Sequence, residues 1–272
     1  MNLNQLYKTQ SGEEFWRFLG EWKYTSFSKQ QKKEIDSILE DLMEKVKVNF
    51  DLIYERLKSL NYNFYNSKEA RVLPTDDIEK RMNLLSKYVE KGGLIPLSLK
   101  KFYLIVGGVD FMKKYNCINS YPIYNEKFIP DPVVIPYLND DFLDYIKSQY
   151  SEEHWGDKEA LEYVYERGIP LAPDDLHKDN ISGGEPYCIK LSKHTTIDNF
   201  FPWGFTEMEQ DYQSNNLFGF EPNNQTFIEY LRYVFKWGGF SGIKYDIKKQ
   251  NNTDKQKIIE FVNYLTADLK EI

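Results

Sequence analysis

The chain has 272 residues, 41% of them hydrophobic, two cysteines, and a formal net charge of −7 from 42 acidic and 35 basic residues. This length can bury a sizeable core, in one large domain or in one domain with an extension. The acidic balance argues against a general nucleic-acid binder, which needs clustered Lys and Arg, and against docking on anionic lipid. No run approaches the ~18 consecutive apolar residues needed to span a bilayer. Residues 1–10 lack the basic-then-apolar pattern of a secretory leader. Cys117 and Cys188 stand far apart and are expected as free, buried thiols, so the cytoplasm is the expected compartment. Aromatic residues make up 16% of the chain. They suit either a ring-filled core or a stacking platform for carbohydrate or bases.

Taken in chain order, Phe15, Trp16, Phe18, Trp22 and Tyr24 form an apolar cluster that docks on the main body. Ser28 with Gln31 has the spacing of a capping box and opens a helix. Apolar residues follow at Ile35, Ile38, Leu39, Leu42, Met43, Val46, Phe50, Ile53, Leu57 and Leu60, a 3.6-residue period that predicts one long helix to about Asn61. That stripe serves either to pack along its own domain or to form a coiled-coil or dimer element. Thr75 is expected to open a second helix, with Asp76, Asp77 and Glu79 against its dipole and Ile78, Met82, Leu85 and Val89 buried. Gly92-Gly93 ends it. Pro96 suits the first turn of a third helix that buries Leu99, Phe102, Tyr103 and Val106, and Gly107-Gly108 stops that one.

Past Gly108 the pattern changes to short strands at 109–112, 121–123, 128–129 and 133–135. Residues 140–150 and 159–167 read as helices. Residues 187–191 read as a strand, with Tyr187, Ile189 and Leu191 on one face and Cys188 and Lys190 on the other. Residues 196–222 fit further strands or a long loop. Phe227, Ile228, Leu231, Val234 and Phe235 mark a buried helix running into Gly238-Gly239. Thr253 with Gln256 repeats the capping-box spacing before a last helix with Ile258, Val262, Leu265 and Leu269. Helices, then strands, then helices predict an α+β fold, with a mixed, mainly antiparallel sheet wrapped by helices.

The residue types that carry chemistry do not assemble into a recognisable site. His154, His177 and His194 have no metal-ligand spacing, and neither cysteine lies in a Cys-x-x-Cys pair. Residues 174–185 imitate a calcium loop at their ends, but Leu176 and Lys178 stand where oxygen ligands belong. No phosphate-cradling glycine loop is present. The Gly239-Phe240-Ser241-Gly242 run lacks the glycine a nucleophile elbow needs, because that position is Ile243. Asp140-Asp141 and Glu152-Glu153 point in different directions along their backbones, which suits a solvated face better than an acid/base pair. No catalysis, cofactor or metal is expected.

Charge distribution is more informative. Residues 131–175 contain 12 acidic and three basic residues, Lys147, Lys158 and Arg167, so the negative charge of the chain is concentrated there. Phe142, Tyr145, Tyr150, Trp155, Tyr163 and Tyr165 are interleaved with the acids. Such a segment is either a solvated helix pair with its rings turned inward, or a surface that steers a basic partner and anchors it on exposed rings. In the second reading the contacts are Asp140, Asp141, Asp144, Glu152, Glu153, Trp155, Asp157 and Glu159.

Three segments together resemble the SUKH superfamily, which includes a fungal cell-wall regulator and many bacterial immunity proteins of polymorphic toxin systems. The first is Leu94-Ile95-Pro96 followed by Phe102 and Gly107-Gly108. The second is Ala172-Pro173-Asp174 ahead of the strand at Tyr187. The third is Phe227-Ile228-Glu229-Tyr230-Leu231-Arg232 with Gly238-Gly239-Phe240 and Gly242. The resemblance covers about residues 75–243. It divides the chain into a helical N-terminal extension (residues 1–73), an α+β domain (74–250) and a last helix packed on the same body (251–272). It implies a non-enzymatic protein-binding module, an immunity protein that neutralises a cognate toxin such as a nuclease. The alternative is a regulatory or scaffold module binding a host protein. A protein partner is expected in either case, with neither nucleic acid nor membrane. The family fixes no binding residues, so none is carried over.

Overall fold

The apolar stripe that begins at Ile35 folds as one helix, Lys29–Ser59, in the computed structural model. The structure describes residues 2–9, 12–20, 24–112, 132–151, 162, 168–171, 188–198, 226–241, 243 and 252–272. Two short helices, α1 (Leu3–Thr9) and α2 (Gly12–Gly20), precede the long one, which is therefore α3. Ser28 and Gln31 form the expected capping box, each side chain bonding the other's backbone N–H at 3.2 and 2.9 Å. Ser28→Ala is expected to remove about 1 kcal/mol of stability, measured as a lower urea midpoint.

Every apolar position of the stripe from Ile35 to Leu57 is buried within the chain's own core. That decides between the two uses of the stripe: it packs on its own body. Phe50 lies at the centre, its ring 4.8 Å from Phe235 and 6.2 Å from both Phe102 and Phe111. Edge-on and tilted ring contacts of this kind account for the aromatic surplus among the described residues as core filling.

After α3 come β1 (Arg71–Val72), α4 (Ile78–Tyr88), α5 (Leu97–Ile105), β2 (Gly108–Asp110), β3 (Val134–Ile135) and α6 (Asp140–Gln149). They are followed by β4 (Ile169–Pro170), β5 (Cys188–Ile189), α7 (Phe227–Lys236) and α8 (Asn252–Thr266). Strands β1, β2 and β3 form an antiparallel sheet in that order, with Val72 opposite Gly108 and Val109 opposite Ile135. An isolated bridge from Pro132 to Phe240 continues the pairing toward the end of α7. Strands β4 and β5 form a second antiparallel pair. The fold is α+β.

Several boundaries move. Helix α4 starts at Ile78 rather than Thr75, because residues 76 and 77 form a turn and the Thr75 hydroxyl bonds Asp77 and Tyr137 instead of capping. Pro96 is the N-cap of α5, one position before the first turn. Thr253 lies inside α8, which begins at Asn252, and the Gln256 amide reaches forward to Glu260 at 2.9 Å. Thr226, directly before the helix expected from Phe227, is a true cap: it shares a capping box with Glu229 at the start of α7. In β5 Ile189 is buried, Lys190 just after it is exposed, and Cys188 is buried, each as expected. The readings at Cys117, at 121–123 and 128–129, and at Tyr187 lie outside the described residues. So do those at 199–222 and at 159–167, apart from Glu162.

Candidate functional site

The acidic surface is built where the first turns of α4 and α6 meet. Asn139 caps α6, its side-chain oxygen accepting the Phe142 N–H at 2.8 Å. Asp140 and Asp141 occupy the first turn, where the helix dipole favours negative charge. Leu143, Ile146 and Tyr150 face the core. That spacing turns Asp141, Asp144 and Tyr145 outward together. Tyr145 is 47% exposed, and its ring stacks on Phe142 with centroids 6.4 Å apart.

Asp140 has a different job from its neighbours. Its carboxylate accepts Arg81 Nη1 at 2.6 Å, while Arg81 Nε bonds Asp77 at 2.7 Å and Nη1 also reaches the Leu138 carbonyl at 3.2 Å. One guanidinium thus ties the start of α6 to the start of α4. The Tyr137 hydroxyl, 2.9 Å from the Thr75 hydroxyl, adds a second tie. The Thr75 hydroxyl and Arg81 hold the Asp77 carboxyl below the usual carboxylate range, and Asp140 raises the pKa of Arg81. Asp140 is therefore a positioning residue of the fold, whereas among the described residues Asp141 and Asp144 form no ion pair.

The junction also brings in acids that the sequence reading used only as dipole partners. Asp76, Asp77 and Glu79 are exposed at the start of α4, where Arg81 ties Asp77 to Asp140, and Leu73, 52% exposed, lies on the chain leading into them. The only signal for this pairing was local: two acidic helix starts, far apart in sequence. Of the eight expected contact residues, Asp140, Asp141 and Asp144 lie on this surface. Glu152, Glu153, Trp155, Asp157 and Glu159 lie outside the described residues.

His194 is exposed, while His154, His177 and the 174–185 loop lie outside the described residues. Ser241 is buried, and its backbone carbonyl accepts the Tyr233 hydroxyl at 3.4 Å. Among the described residues no three His, Cys, Asp or Glu side chains gather as metal ligands, and no helix is long and apolar enough to cross a membrane.

The described parts of the segments at 94–108 and 227–241 pack against one another. Leu94 bridges to Ser192, and Ser98, buried in the first turn of α5, donates to the Asp198 carboxylate at 2.6 Å. The other oxygen of Asp198 accepts the Ile228 N–H at the start of α7, 2.9 Å away. Asp198 thus joins two helix starts, and Phe102 meets Phe227 edge-on at 5.4 Å behind it. Comparison with family models, with curated proteins and with solved structures finds no match to this chain.

Proposed function

We propose that the chain is a cytoplasmic, non-enzymatic binding module of the SUKH type, an immunity protein that neutralises a basic toxin domain by covering it. The observation that carries this reading is the open acidic surface at the α4–α6 junction. Asp76, Asp141 and Asp144 are exposed on the two joined helix starts, with the Tyr145 ring exposed on α6 and Leu73 exposed on the chain leading into α4. The acids accelerate encounter with a basic partner, and the ring and leucine supply contact area once it docks. Arg81 holds the two helices in one arrangement, so the surface is ordered before binding and loses little freedom on docking.

The test uses the toxin domain encoded beside this chain's own gene. Its association rate is measured as salt is raised, for the unaltered chain and for an Asp141→Asn, Asp144→Asn, Tyr145→Ala variant. The expected result is a rate about tenfold lower at low salt, with a shallower salt slope. An unchanged rate and slope would remove the α4–α6 surface as the contact. Absence of a toxin gene and capture of a host regulator by the same surface would replace immunity with a scaffold role. Asp140 is left intact, because its loss would disturb α6 itself.

A further inference from the structure

We draw no further inference here: the strongest candidate, the surface patch on α8 where Ile259 and Tyr264 stand exposed, carries none because nothing in the structure shows what covers it.

Discussion

Gly107→Ala is expected to lower stability by about 3–5 kcal/mol, seen as a reduced urea midpoint with an unchanged slope. Two costs coincide at this position. The backbone has φ +94°, a conformation that side-chain-bearing residues adopt only with strain. A Cβ there would lie 2.1 Å from the Val72 carbonyl oxygen, and that atom belongs to β1, the paired strand, so it cannot yield. The conformation is needed because the chain must leave α5, with the Gly107 N–H still bonded to the Phe102 carbonyl at 3.1 Å, and enter β2 one residue later. Gly108 is required for a separate reason. Its Cβ would meet the Tyr137 Cβ at 2.6 Å, and Tyr137 leads into α6. Gly108→Ala therefore displaces the chain carrying the acidic surface, and a comparison of the two variants separates loss of fold from loss of the surface.

Arg71→Ala is the second large effect, about 3–4 kcal/mol, because it strands several buried acceptors at once. Only 4% of the Arg71 side chain is exposed. Nε bonds Asp51 of α3 at 2.7 Å, and Nη1 reaches the carbonyls of Val106 at 2.7 Å, Val72 at 3.1 Å and Gly108 at 3.4 Å. The guanidinium thus sits at the carbonyl end of α5, where the helix dipole favours a cation, and locks that end to β1 and to α3. Burial lowers its pKa and Asp51 opposes the shift. Arg71→Lys is expected to recover the charge but no more than about half of the stability, since an ammonium lacks the planar fork that spans these acceptors. Equilibrium unfolding of the two variants checks both figures. Equal loss in Arg71→Lys and Arg71→Ala would assign the whole effect to the fork geometry.

These two positions mark the limit of what the sequence made legible. The glycine pair was visible as a helix stop, and that reading holds. Nothing local announced that Val72 would lie against it. Strand β1 has two residues, one of them charged, and exists because Gly108 and Val109 pair with it across the chain. Periodicity found α3, α5, α7 and α8 because each buries a stripe several turns long. It misplaced the start of α4, because Thr75, Asp76 and Asp77 can serve equally well as cap or as turn, and the Tyr137 hydroxyl decides between them. The Thr226–Glu229 capping box was present in the sequence, at the start of the helix read from Phe227, and its Thr-x-x-Glu spacing gives that helix its boundary.

The surface residues follow the same rule. Helical spacing alone places Asp141, Asp144 and Tyr145 on one face of α6. The engagement of Asp140 by Arg81 joins residues 59 apart, and the bonds of the Asn49 side chain to the Lys270 backbone join residues 221 apart. Polar partners at such separations leave no periodic trace, because a single hydrogen bond needs only one residue at each end.

The length and early position of α3 set the order in which the chain can fold as it is made. Its apolar stripe is complete once Leu57 has been synthesised, whereas α8, which packs along it, begins at Asn252. At ~5–20 residues per second this interval is about 10–40 s, during which the stripe lacks its final cover. Helices α1 and α2 precede α3, and α5, which also packs on it, follows at Leu97–Ile105. Leu3 donates its N–H to Glu34 at 2.8 Å, Tyr7 bonds Asp41 at 3.1 Å, and the rings of Tyr7, Phe15 and Trp16 pack together beside them. These two short helices cover one flank of α3, and their contacts with it are local enough in sequence to form before the distant α8 does.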